Sequence, residues 1–175
     1  MLSALELYAE RGFEDTTVLE VAERAGVTER TFFRHFADKR EVLFEGSSDL
    51  QEAVVAAIAA APATMGSLDV VASAMEHAAS LLEDRSYARR RATVIAANPS
   101  LQERELLKLA TLSGAVAEAL RRRGGSGLAA SLTADSGVTV FKIGFELWIG
   151  DDSAGDFPQC IRTAVQQLKG LISDG

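Results

Sequence analysis

The stretch Gly26-Val27-Thr28-Glu29-Arg30-Thr31-Phe32-Phe33-Arg34-His35-Phe36-Ala37-Asp38-Lys39 gathers three phenylalanines, two arginines and a histidine in a chain that is only 6% aromatic. Gly26 is a helix stop and Thr28 a helix N-cap residue, so the pattern predicts a short helix from Thr28 to about Phe36. Wound at 3.6 residues per turn, Phe32 and Phe36 share one face, while Arg30 and Arg34 lie nearly opposite, one turn apart. Thr31 and Phe33 fall on the flanks. Phe32 and Phe36, helped by Val27, are expected to pack on the helices before them. Two forked donors on a narrow exposed helix match the acceptor edge of guanine in a major groove, or the phosphate oxygens beside it.

Working outward, Leu2, Leu5, Ala9 and Phe13 recur at helical spacing, and Gly12 ends that first helix. Thr17 followed by Glu20 reads as a capping box opening a second helix that stops at Gly26. Two short helices joined by a glycine-containing turn give the layout of a helix-turn-helix unit. Asp38 is expected to cap a long fourth helix that runs through Val42, Leu43, Leu50, Val54 and Ile58 to near Pro62. Further helices are predicted at roughly 67–83, 85–97, 100–123, 128–149 and 155–172, separated by turn formers such as Asn98-Pro99 and Gly124-Gly125-Ser126-Gly127. No stretch alternates with period two, so the expected class is all-α. It divides into a helix-turn-helix domain at 1–45 and a helical domain at 46–175.

The net charge of −7 excludes a protein that coats polyanions through bulk positive charge. Residues 1–45 hold ten Asp/Glu against six Lys/Arg, yet residues 28–40 hold Arg30, Arg34, Lys39 and Arg40 against only Glu29 and Asp38. Positive charge is therefore local. Hydroxyls at Thr17, Thr28 and Thr31, with the helix N-termini they cap, add neutral donors suited to phosphate. A solvated helical hairpin that never touches DNA fits the same residues, and from them alone both readings stand.

A single cysteine, Cys160, suits a reducing compartment, and the cytoplasm is the expected location. The apolar run 53–63 is far short of the ~20 residues that span a bilayer, so no membrane partner is expected. His35 and His77 are the only histidines, and nothing supplies a nucleophile with its base or a metal with clustered ligands. No enzyme activity, cofactor or metal is expected.

Ala4-Leu5-Glu6-Leu7-Tyr8-Ala9-Glu10-Arg11-Gly12-Phe13, Thr16-Thr17-Val18, Val21-Ala22-Glu23-Arg24-Ala25-Gly26-Val27-Thr28, Thr31-Phe32-Phe33-Arg34-His35-Phe36 and Asp38-Lys39 resemble the DNA-binding domain of the TetR family of bacterial repressors. The resemblance implies a homodimer that sets its third helix in the major groove of an inverted-repeat operator and releases double-stranded DNA when a small molecule binds the C-terminal domain. It implies phosphate contacts at Thr17, Thr31, Phe33 and Lys39, and base or nearby backbone contacts at Thr28, Glu29, Arg30, Arg34 and His35. Phe33 departs from the family's usual tyrosine and Leu19 from a usual polar or basic residue. A basic arm is also expected upstream of residue 2. The segments Arg89-Arg90-Arg91 to Asn98-Pro99, Glu105-Leu106-Leu107-Lys108 and Ala117 to Gly124 resemble an actinobacterial branch of the family described as binding acyl-CoA-like effectors. The rival reading from another class is a helical protein-interaction module without DNA binding.

From Gly137 to Ile149 the strongly polar residues Thr139, Lys142 and Glu146 form one thin stripe, and the rest of the circumference is apolar. Such a helix is buried on more than one side. Val140, Ile143 and Leu147 can face the domain core, which leaves Phe141, Phe145 and Trp148, with Ile161, Val165 and Leu168 of the last helix, for a four-helix dimer interface; a monomer with both helices packed inside one core is the alternative. Met75, His77, Tyr87, Thr93 and Asn98 are the candidate ligand-pocket residues. Arg121-Arg122-Arg123 reads as cations at a helix C-terminus rather than a phosphate site.

Overall fold

The computed structural model describes residues 2–173. Among them are nine α-helices, one 3-10 turn at Glu41–Phe44 and no strand. The helices are α1 Leu2–Arg11, α2 Val18–Arg24, α3 Glu29–His35, α4 Ser47–Ala60, α5 Ser67–Ala79, α6 Arg85–Ala96, α7 Pro99–Arg122, α8 Gly127–Gly150 and α9 Phe157–Ser173.

The long helix expected from Asp38 is two elements. Asp38 does accept a hydrogen bond, from the Arg40 amide at 2.8 Å, but the residues it leads into form the 3-10 turn. Val42, Leu43 and Phe44 are all buried, and three successive residues cannot all face one way from a regular α-helix. Gly46 then sits at φ +81°, in the left-handed region that glycine adopts without a Cβ penalty, and α4 starts after it.

The chain forms two compact units, Met1–Ser47 with Ser86–Leu107, and Ser48–Arg85 with Lys108–Gly175. The first unit takes in most of α6 and the start of α7 besides the first three helices. Val94, Ile95 and Leu101 from those helices join Leu5, Leu7, Phe13, Val21 and Phe32 in one core. Arg91 fastens the addition. Its Nε donates to the Leu43 carbonyl at 2.6 Å, its Nη1 to Glu105 at 3.3 Å, and its guanidinium lies 5.0 Å from the Phe44 ring centre. Burial lowers its pKa, the neighbouring Glu105 carboxylate opposes that, and the group stays charged. An arginine run in a sequence reads as solvated surface, so this tether carried no signal.

In the second unit α5, α8 and α9 pack on one another. Two glycines permit the contact. A Cβ at Gly137 would meet Val71 Cγ1 of α5 at 2.2 Å, and one at Gly144 would meet Ile161 Cδ1 of α9 at 2.7 Å. The positions are seven residues apart and so lie on nearly the same side of α8. Arg123 donates to the carbonyls of Ile58, Ala61 and Pro62, closing the C-terminus of α4.

Candidate nucleic-acid interface

α3 begins on Thr28, whose backbone is extended and whose Oγ1 accepts from the Thr31 amide at 3.2 Å. The two threonine hydroxyls are themselves 3.1 Å apart. Phe32 is buried and its ring centre lies 5.2 Å from that of half-buried Phe36, so the inner face is as the helical wheel places it. Val27 is not part of it: at 41% exposure it stays in solvent, because its amide closes the turn on the Ala22 carbonyl at 2.9 Å instead of burying its side chain.

On the outer face, Arg30, Thr31, Phe33 and Arg34 line one open depression. Arg30 makes no side-chain hydrogen bond or ion pair among the described residues. Arg34 Nη2 is 3.4 Å from His35 Nε2, a contact in which the guanidinium can only donate. Glu29 and His35 are exposed at the two ends of the helix. Two cationic forks without a carboxylate partner, a threonine and an aromatic ring thus line the same depression.

The other cations of the segment are engaged in the fold. Lys39 Nζ donates to the carbonyls of Phe13, Glu14 and Thr16 at 2.8, 3.1 and 3.0 Å and lies 4.4 Å from the Phe13 ring centre. Its own carbonyl accepts from Tyr8 Oη at 2.8 Å, and burial pushes that phenol's pKa up. Arg40 holds Asp38 Oδ2 at 2.6 Å, which keeps the Asp38 carboxyl below its ordinary range. Thr17 is the N-cap of α2 in a complete capping box: its Oγ1 accepts from the Glu20 amide, and its amide and hydroxyl donate to Glu20 Oε2 at 2.8 and 2.9 Å. Of the nine residues expected to meet DNA, Thr28, Glu29, Arg30, Phe33, Arg34 and His35 are exposed on or beside α3, and Thr31 is half-buried there. Thr17 and Lys39 are placed by contacts within the fold.

A family model described as bacterial regulatory proteins, tetR family, matches residues 2–45, and a model described as the MftR C-terminal domain matches residues 65–172, more than half of the chain. The chain belongs to the TetR family of transcriptional regulators. A TetR-family regulator of Mesorhizobium loti shares the fold over 98% of this chain and 92% of its own, at TM-score 0.60 and 18% identity. Thermus thermophilus FadR, a TetR-family repressor crystallised with lauroyl-CoA, matches over 96% and 90% at TM-score 0.52 and 22% identity. In sequence, the chain is 45% identical over 71 residues to the transcriptional regulator TcmR of Streptomyces glaucescens. Those residues are 41% of this chain and 31% of TcmR, so the match spans about a third of that relative. These matches are to regulators rather than enzymes.

The second unit of this TetR-family chain orders its residues differently from the sequence reading. Phe141, Trp148, Ile161 and Val165 are buried in one protomer, and Phe145 and Leu168 are half-buried. Trp148, 3% exposed, stacks on Phe157 at 5.0 Å, and Phe141 and Phe145 close on the same ring at 5.1 and 5.7 Å. The Arg85 guanidinium, which donates to the Asp152 and Gly155 carbonyls, lies 5.7 Å from the indole. The exposed side of α8 carries Leu128, Leu132, Ile143 and Leu147, the last two having been expected in the core. Close approach at Gly137 and Gly144 fixes which side of α8 faces inward, and glycine carries no hydrophobicity for a helical wheel to weigh.

The five candidate pocket residues lie on α5, on α6 and in the turn after it. Met75 is fully buried against Gly137, and His77 is exposed on α5. Tyr87 packs on the core of the first unit, Thr93 Oγ1 bonds back to the Arg89 carbonyl, and Asn98 Nδ2 to the Val94 carbonyl. Arg121 and Arg122 pair with Glu118. Among the described residues no group of His, Cys, Asp and Glu is placed to hold a metal, and no helix is long and apolar enough to cross a membrane.

Proposed function

We propose that the chain is a cytoplasmic repressor that binds an inverted-repeat operator as a homodimer, with α3 in the major groove, and leaves it when a small apolar or acyl-type effector binds the C-terminal unit. The observation that carries the reading is the pair Arg30 and Arg34, exposed one turn apart on a capped helix and free of carboxylate partners. Such a pair supplies bidentate donors to guanine O6 and N7 or to flanking phosphates. The dimer is supported by the exposed apolar stripe Leu128, Leu132, Ile143 and Leu147 on α8. Two recognition helices held about 34 Å apart would read successive major grooves. An acyl thioester is the first effector class to try, since FadR shares the fold and holds one.

The test is selection of bound duplexes from a random pool, followed by addition of acyl-CoA thioesters. A recovered palindrome, with affinity falling steeply between ~50 and ~200 mM salt, is the expected result. No enriched palindrome and flat salt dependence would sink the reading and favour a protein-interaction module.

A further inference from the structure

Phe33 is the one large apolar side chain in the depression that Arg30, Thr31 and Arg34 complete. It is 54% exposed, and it is not a loose ring. Its centre lies 5.5 Å from that of buried Phe32 at an interplanar angle of 85°, an edge-to-face contact that sets its position against the core. It has no hydroxyl, so it cannot donate to a phosphate. An exposed aromatic surface flanking two forks that can read guanine needs an apolar group on the DNA side once binding removes its water. The major groove offers one, the C5-methyl of thymine.

We propose that Phe33 is a specificity-determining residue that reads a thymine methyl beside the guanine contacts of Arg30 or Arg34. The inference rests on the operator-binding reading above and goes beyond it by assigning a base and an atom. Leu19 and Val27 are exposed as well, but neither lines the depression with the arginines. The fit is chemical as well as spatial. Uracil presents the same hydrogen-bonding edge as thymine and differs only by the methyl, so its substitution isolates this contact from the arginine contacts. Removing one methyl-sized group from an apolar contact weakens binding about fourfold, and a symmetric operator carries the contact twice, for about fifteenfold in all.

The experiment takes the operator recovered by selection and replaces its thymines by deoxyuridine one symmetric pair at a time, with binding by full-length wild type and Phe33→Ala measured by fluorescence anisotropy. Wild type should lose about fifteenfold at one symmetric pair, adjacent to a guanine, and Phe33→Ala should bind thymine and uracil forms of that operator equally. Phe33→Leu, which keeps an apolar surface, should retain part of the difference. Uniform wild-type affinity for every uracil operator would overturn the proposal while leaving operator binding intact. A thymine preference that persists in Phe33→Ala would assign the methyl to another residue and also overturn it. Failure to select any operator would remove both readings together.

Discussion

Helices α3 and α8 are both rich in aromatic residues and sort them in opposite ways. In α3 the polar and apolar residues alternate around a short helix, so the buried face is set by contrast: Phe32 goes in and Arg30 and Arg34 go out. In α8 the contrast is missing from Gly137 to Ile149, and the inward face is chosen by where glycines let α5 and α9 approach. A helix with an amphipathic face is oriented by solvent, whereas a helix apolar all round is oriented by its partners' shape.

The largest expected effect tests that difference directly. Trp148→Ala should destabilise the protein by about 3–5 kcal/mol in denaturant unfolding, because it removes the ring stacked on Phe157 and opens a cavity in one protomer. The loss should not depend on protein concentration. Replacing Ile143 and Leu147 together by Ser should do the reverse, leaving protomer packing intact while sedimentation shows weaker self-association. A Trp148→Ala protein that unfolds normally but dissociates would restore the aromatic side of α8 to the dimer interface.

Gly137→Ala comes next. Its Cβ would sit 2.2 Å from Val71 Cγ1, so α5 or α8 must shift, at a cost of about 1–3 kcal/mol. An alanine that raised thermal stability through better helix propensity would show that the helices are not held together at this point.

On α3 the corresponding contrast is between Arg30 and Lys39. Arg30→Ala should weaken specific operator binding by about 1–3 kcal/mol with little change in random-DNA binding or thermal stability. Lys39→Ala should instead lower stability by about 1–3 kcal/mol, since it removes an ammonium from three carbonyls and strands them between α1 and α2. A stable Lys39→Ala protein with uniformly reduced DNA binding would return Lys39 to the phosphate contacts the family resemblance implies.

The same physics decides how much was legible. The caps at Thr17 and Thr28, the stop at Gly26 and the all-helical class were readable because each is a local signal between near neighbours. The break at Gly46 was not, since the apolar spacing of Val42, Leu43 and Leu50 also fits a continuous helix. Arg91 and Lys39 look like surface cations in sequence, and only distant carbonyls, at Leu43 and at Phe13, Glu14 and Thr16, tie them into the fold. Phe33 was legible as an oddity, and its meaning depended on seeing that it shares a depression with both arginines.

The smallest expected effect concerns the cap at the start of α2. The Thr17 amide, the Thr17 hydroxyl and Arg11 all hold the Glu20 carboxyl below its ordinary 4.5. A depressed carboxyl contributes stability that is fully present above its unfolded value and is lost as pH falls through the folded one. Glu20→Gln should therefore lower the Tm slightly at pH 7, and the gap to wild type should close as pH drops below 4.5. The Arg11–Glu20 pair at 2.9 Å is largely exposed, so added salt should remove only the ionic part of the gap and leave the hydrogen bonds of the capping box. A gap that closes as fully on adding salt at pH 7 as it does on acidification would assign Glu20 to surface charge alone, and would move Thr17 from the fold's own contacts back to the DNA side of the comparison.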